Sequence, residues 1–136
     1  MRQLKKWHDS YRGIAIEAVT WGWPEEVRSQ SSYLNKENWC GYIYLDSRNH
    51  PEINEIEVDF SSKYTDRVPY FDRFDFHGGV TFSEVTKHRE TLRMKIGCDY
   101  QHYGDEQFQY DEKDVLHDLK KVVDQYRELH PEKNPT

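Results

Sequence analysis

The sequence has no long apolar run, few cysteines and no excess of positive charge. No segment approaches the roughly 18 consecutive apolar residues that a transmembrane helix needs, so we expect no membrane span. The formal net charge of -6 argues against nonspecific nucleic-acid binding, because such binding requires a basic surface that displaces counterions. The same charge favours solubility and basic partners. We therefore expect no membrane partner and no direct contact with nucleic acid.

Cysteine is scarce, and its placement is informative. Cys40 and Cys98 each lie inside an apolar, strand-like run, and neither belongs to a pair with metal-site spacing. Residues 1–6 are charged and lead into no apolar segment, so we expect no signal peptide. Two buried thiols and no export signal favour a reducing, cytoplasmic environment.

The chain is rich in aromatic residues. Charged residues make up 32% and hydrophobic residues 35%, a balance that by itself is typical of disordered proteins. Ten Tyr, six Phe and four Trp, however, supply large surfaces that a core can bury. A chain of 136 residues is long enough for one modest core. We predict a single domain over residues 1–136, with residues 1–10 and 131–136 flexible.

Apolar residues that alternate at period two predict the strands. The clear candidates lie at residues 11–20, 39–46, 76–83 and 91–99, and a weaker one lies at residues 55–60. The last two clear strands are joined by a short charged connection, which favours an antiparallel hairpin. Acidic residues outnumber basic ones in residues 47–75, for which we predict a long acidic surface loop.

The segment between Asp111 and Pro131 predicts a helix. Asp111 is a suitable N-cap, and Pro131 ends the helix. An apolar stripe follows helical spacing through Val115, Leu119, Val122, Tyr126 and Leu129. Burying that stripe predicts an α+β fold, in which an antiparallel β-sheet of about four to five strands carries a C-terminal amphipathic helix on one face.

Two glycine-rich motifs, at residues 76–82 and 96–105, mark the candidate site. Glycine weakens a strand, so its presence there indicates either a ligand close to the backbone or a bulge or tight turn. In the predicted hairpin both motifs lie at the same end, and their polar residues share one face of the sheet. We predict a ligand-binding site made of His77, Gly78, Gly79, Thr81, Asp99, His102 and Asp105.

Three chemistries remain open for these residues. His77, Asp99, His102 and Asp105 can ligate a divalent ion, but their spacing matches no motif of known geometry, and we predict no metal. The same four are candidates for acid–base catalysis, although no nucleophile is evident, so enzymatic activity stays undecided. Thr81 and the glycine amides can instead bind the phosphate or hydroxyl groups of a ligand without turnover. No cofactor is indicated.

The order of three motifs resembles a family of small bacteriophage and prophage proteins. Residues 39–42 (WCGY), 77–82 (HGGVTF) and 97–105 (GCDYQHYGD) match the family patterns W/L-C-G-Y, H-G-G-x-T-F/Y and G-F-D-x-x-H-x-G-D. The resemblance covers residues 11–105 and departs at Cys98, where the family has an aromatic residue. It implies a viral origin, the cytoplasm of a host cell and the location of the site, and it leaves the reaction open.

We therefore expect a phage accessory protein that binds a small phosphorylated or nucleotide-like ligand, and that either sequesters or hydrolyses a host-defence signal. The alternative is an acidic inhibitor whose loop at residues 47–75 covers a basic surface on a host nucleic-acid-binding or defence protein, as anti-CRISPR-like inhibitors do. A metal-dependent hydrolase is a further alternative. The sequence leaves the identity of the ligand and the oligomeric state open.

Overall fold

The fold consists of one five-stranded antiparallel sheet and a long C-terminal helix. The computed structural model describes residues 2–28, 30, 37–61, 65–101 and 109–133. The strands are β1 (Arg2–Tyr11), β2 (Ile14–Gly22), β3 (Asn38–Asp46), β4 (Phe82–His88) and β5 (Thr91–Asp99). They lie in the order β1-β2-β3-β5-β4, and every neighbouring pair is antiparallel. This confirms the predicted α+β architecture.

The helices differ greatly in length. They are α1 (Glu25–Arg28), the 3-10 helices Pro51–Glu55 and Pro69–Arg73, and α2 (Glu112–Leu129). Helix α2 begins at the predicted N-cap, where the Asp111 carboxylate accepts the Asp114 N–H and the Asp114 carboxylate accepts the Asp111 N–H. Within the described ranges, no helix combines the length and the apolarity that crossing a bilayer requires.

Helix α2 packs on one face of the sheet, against β2 and β3. Gly41 of β3 permits this close approach, because a Cβ atom there would lie only 2.8 Å from Cγ1 of Val115. Leu129, the last residue of the predicted apolar stripe, is largely exposed. The buried positions of the helix are Val115, Leu119, Val122, Val123, Tyr126 and Arg127.

Residues 2–10 belong to the segment 1–10 that the sequence predicts to be flexible, and they lie in the edge strand β1. The β1–β2 hairpin closes through Arg12 and Gly13, which have φ of 49° and 78° as a type I′ turn requires. The Trp7 ring of β1 lies 5.1 Å from the Trp39 ring between their centroids and ties the strand to the sheet. An edge strand tolerates polar residues that face water, which explains how a segment without apolar periodicity joins the sheet.

The segment at residues 47–75 is anchored to the core rather than lying free as a surface loop. Its two 3-10 helices bury Ile53 and Phe71 completely. The weak strand predicted near its middle is reduced to an isolated bridge between Asp59 and Arg67. Acidic side chains on the segment remain exposed, so its surface is acidic while its apolar residues stabilise the fold.

The same segment covers the outer edge of β4. The Thr65 hydroxyl bonds to both the N–H and the C=O of Ser83, and Oδ2 of Asp66 accepts the Val85 N–H at 2.9 Å. Backbone groups on an edge strand are otherwise open to pairing with another strand. Side chains from a distant part of the sequence thus satisfy this edge.

Strand β4 begins later than the sequence predicts. The predicted strand starts at Phe76, whereas residues 77–79 form a turn and β4 starts at Phe82. The Gly79 N–H donates to the Phe76 C=O at 2.8 Å, and Gly78 and Gly79 have φ of 69° and 92°, a region that favours glycine. The two glycines therefore make a tight turn, and the predicted antiparallel hairpin forms in a shifted register.

Candidate functional site

Some of the predicted site residues meet at the end of β5. The Thr81 hydroxyl accepts the Asp99 N–H at 3.1 Å, and the Thr81 N–H donates to the Gly97 C=O at 3.0 Å. Thr81 and Asp99 are thus neighbours. His102 and Asp105 lie outside the described residues. We call residues 76–81 together with the end of β5 the glycine-rich turn.

His77 packs into an aromatic cluster at this end of the sheet. Its ring stacks on Tyr100 with centroids 4.0 Å apart and planes 8° apart, and it meets Tyr110 edge-on at 5.5 Å. The Tyr100 hydroxyl donates to Asp118 of α2 at 2.5 Å, which places this ring on the helix side of the sheet. The alternation that would put His77 and Thr81 on one polar face does not apply, because the chain turns here.

Both cysteines are free thiols that burial disfavours as nucleophiles. Burial raises the pKa of Cys98 to about 12 and also raises the pKa of Cys40. The thiolate is the reactive form, so neither side chain is poised for covalent catalysis near neutral pH.

A second group of polar residues, which the sequence did not single out, surrounds a cavity at the C-terminal end of α2. This helix-end cavity has a volume of about 610 Å³, within the range of small-molecule sites. It is bordered by the β1–β2 turn, the first 3-10 helix and the end of α2. Its charged and titratable residues are Arg12, His50, Glu52, Arg127, His130, Glu132 and Lys133.

Glu52 is the centre of a hydrogen-bond network on the wall of this cavity. Its Oε1 accepts the Tyr126 hydroxyl at 2.8 Å and lies 3.5 Å from Nδ1 of His50. Burial raises the pKa of Glu52, but the bond from Tyr126 and the nearby His50 and His130 outweigh burial, and the pKa falls below its ordinary value. Burial and the Glu52 carboxylate raise the pKa of Tyr126, so the phenol remains a donor.

Two imidazoles border the same cavity. His50 is buried, and its Nε2 lies 3.1 Å from the Gly13 C=O, so that nitrogen carries a proton. Nε2 of His130 lies 2.5 Å from the Tyr70 hydroxyl, and its ring centroid lies 4.5 Å from that of Tyr126. Burial raises the pKa of Tyr70 and keeps it protonated. The Tyr70 hydroxyl and Nε2 of His130 therefore share a hydrogen bond.

Arg127 is the buried cation of the helix-end cavity, with 8% of its surface exposed. Its Nε and Nη2 donate to the Arg12 C=O at 3.0 and 2.7 Å, and its Nη1 donates to the His130 C=O at 3.2 Å. These acceptors are neutral carbonyls, and no carboxylate in the described part of the chain lies within ion-pairing distance of the guanidinium. Buried charges in proteins are normally paired, so Arg127 leaves an unmatched positive charge on this wall.

The two carboxylates on the wall are engaged by other groups. Glu132 accepts Nε of Arg12 at 2.8 Å, and Arg12 also donates to Asp124 at 2.9 Å. Glu52 is occupied by Tyr126 and faces His50, as described above. Neither carboxylate therefore offsets the charge of Arg127.

The sequence hides this site because its residues come from separate segments and share no spacing motif. One signal was nevertheless present. Arg127 lies four residues after Val123, which places it beside the apolar stripe of α2 instead of on the charged face. A cation on the buried side of a helix predicts a buried charge that requires an anionic partner.

A second cavity, of about 470 Å³, adjoins the first. We call it the sheet-face cavity, since Tyr44, Glu84 and Lys95 reach it from the face of the sheet opposite α2. The Tyr44 hydroxyl donates to the buried Glu17 at 2.9 Å. Three residues line both cavities, namely Gly13, Asn49 and His50.

No protein family, curated protein or solved structure matches this chain. In the ranges that the structure describes, no group of three or more His, Cys, Asp or Glu side chains is arranged to hold a metal ion. The resemblance to phage proteins therefore stays a prediction, and the geometry of the two cavities carries the functional argument.

Proposed function

We propose that this protein binds a small phosphorylated ligand in the helix-end cavity and that Arg127 is the main anchor. The observation that carries the proposal is a buried guanidinium, without a carboxylate partner among the described residues, on the wall of a ligand-sized cavity. A phosphate group supplies the missing negative charge. The planar guanidinium offers parallel N–H donors that match phosphate oxygens.

The donor count of Arg127 leaves room for such a ligand. A guanidinium has five N–H donors, and the carbonyls of Arg12 and His130 take three of them. The absence of a side chain at Gly13 leaves space beside Nη2 of Arg127, since a Cβ atom on residue 13 would lie 3.1 Å from that nitrogen. Lys133 on the same wall adds a further cation at the rim. The cavity thus presents positive charge and unused donors together.

In a phage accessory protein, this binding would sequester or hydrolyse a phosphorylated host-defence signal. The motif order at residues 39–42, 77–82 and 97–105 supports the viral context. Glu52 and His130 are acid–base groups that line the same cavity as Arg127. They are the residues through which hydrolysis, as opposed to sequestration alone, would proceed.

Isothermal titration calorimetry with ribose 5-phosphate tests the proposal. We expect Arg127→Gln to weaken binding by about 30-fold or more, because it removes a buried charge from the contact. Arg127→Lys keeps the positive charge but loses the planar set of guanidinium donors, so its affinity should lie between those of the wild type and Arg127→Gln. Circular dichroism verifies that each variant is folded.

His77→Gln in the glycine-rich turn is the matched control, and it should bind like the wild type. Loss of binding in His77→Gln with retention in Arg127→Gln would place the site at the glycine-rich turn instead. Absence of any heat change with the wild type would overturn the proposal.

A second candidate function, inhibition of a basic protein, is supported by an exposed aromatic residue among carboxylates. Phe60 is 63% exposed and follows the exposed Glu55, Glu57 and Asp59. An aromatic residue surrounded by acids suits contact with a basic partner. Changing all three acids to Lys should abolish capture of a partner from bacterial lysate. Undiminished capture by that variant would contradict this function.

A further inference from the structure

The helix-end and sheet-face cavities are adjacent, and they offer different chemistry. Gly13, Asn49 and His50 line both, so the two cavities share a border. The helix-end cavity provides the cation Arg127, and the sheet-face cavity provides the aromatic ring of Tyr44. A ligand that fills both needs an anion at one end and a flat ring at the other.

Tyr44 is held in a fixed position. Its hydroxyl donates to Oε1 of Glu17 at 2.9 Å, and Oε2 of Glu17 lies 3.7 Å from Nζ of Lys6 and 3.4 Å from Nδ1 of His8. Burial, followed by the Glu17 carboxylate, raises the pKa of Tyr44, so the hydroxyl keeps its proton. A ring that is already immobilised loses little conformational entropy when another ring stacks on it.

Polar side chains line the same cavity as the Tyr44 ring. Glu84 lines the same cavity and is close enough to Tyr44 to influence its titration. Its carboxylate can accept N–H groups from a heterocycle, and Thr86 adds a hydroxyl. Nζ of Lys95 lies 5.7 Å from the centroid of the Tyr44 ring and balances the acidic charge.

We propose that the ligand is a nucleotide whose phosphate binds at Arg127 and whose base stacks on Tyr44 in the sheet-face cavity. This inference rests on the proposed function and specifies its ligand class. It distinguishes a nucleotide from a phosphorylated sugar or inorganic phosphate, which would use the helix-end cavity alone. It also assigns a role to Tyr44, which belongs to neither glycine-rich motif.

The test compares two ligands and two variants by isothermal titration calorimetry. The wild type should bind adenosine or guanosine 5′-monophosphate about tenfold or more tightly than ribose 5-phosphate, because a base adds stacking. Tyr44→Leu should reduce nucleotide affinity to the level of ribose 5-phosphate and leave the latter unchanged. Tyr44→Phe also loses the hydroxyl but keeps the ring, so it should retain the preference for the nucleotide.

The outcomes separate this inference from the proposed function. Equal affinity for nucleotides and ribose 5-phosphate, both dependent on Arg127, would overturn the nucleotide assignment and leave phosphate binding intact. Equal losses in Tyr44→Phe and Tyr44→Leu would also overturn it, since the ring would then contribute nothing. Failure of every phosphorylated compound to bind the wild type would overturn both proposals.

Discussion

The glycine-rich turn and the helix-end cavity both gather polar residues, but they use them differently. At the glycine-rich turn, the Thr81 hydroxyl bonds to the backbone of Asp99 and the His77 ring stacks on Tyr100. These contacts stabilise the hairpin. At the helix-end cavity, the charge of Arg127 is met by neutral carbonyls alone among the described residues. An unbalanced buried charge is therefore better evidence for a ligand than a dense sequence motif.

The largest expected change in stability tests whether packing of the hydrophobic core supports the residues of the helix-end cavity. Phe71 is completely buried and stacks on Tyr126 with ring centroids 6.4 Å apart. Phe71→Ala should lower the free energy of unfolding by about 3–5 kcal/mol, because it leaves a cavity beneath the site. Urea denaturation measures this loss. Phe60→Ala, in the same segment but exposed, is the matched control and should change stability by less than about 0.5 kcal/mol.

The next largest change in stability tests the hydrogen bond to the ionised Glu52 carboxylate on the wall of the helix-end cavity. Tyr126→Phe removes the hydroxyl that donates to Glu52 and should cost about 1.5–3 kcal/mol at pH 7. The fold lowers the pKa of Glu52, so its contribution is present above the unfolded pKa of about 4.3 and is lost as the pH falls through the folded value. The difference between wild type and variant should therefore shrink between pH 5 and pH 3. A difference that is equal at pH 7 and pH 3 would contradict this assignment.

The smallest effect examines the glycine-rich turn itself. Gly79 has φ of 92°, and a Cβ atom there would meet no heavy atom within 4 Å. Gly79→Ala should thus cost about 1 kcal/mol through backbone conformation alone. Affinity for ribose 5-phosphate should be unchanged. If a folded Gly79→Ala variant lost that affinity, the ligand would be assigned to the glycine-rich turn instead of the helix-end cavity.

Much of the fold follows from local patterns in the sequence. The stripe on α2, the Asp111 cap and the strands β3 and β5 each reflect a single element, and the structure confirms them except for the exposed Leu129. Strand β1 was missed because pairing with β2 stabilises a polar segment that has little apolar periodicity of its own. The start of β4 was misplaced because two glycines in an apolar run fit a strand and a turn equally well.

The helix-end cavity was beyond sequence reasoning for a related reason. His50 and Glu52 precede Arg127 and His130 by more than seventy residues along the chain. Only tertiary packing brings the first 3-10 helix to the end of α2, where Tyr126 bonds to Glu52. A cluster of this kind has no spacing that a motif can express.

Thr65 and Asp66 occupy the bonding positions that a sixth strand would take along β4. Because their side chains fill those positions, no foreign chain can extend the sheet there without first displacing them. On the opposite border, Lys5 and Lys6 place charged side chains on the edge strand β1, a feature that disfavours pairing with another strand. Both borders of a sheet rich in tyrosine and tryptophan thus carry features that oppose its polymerisation into fibres.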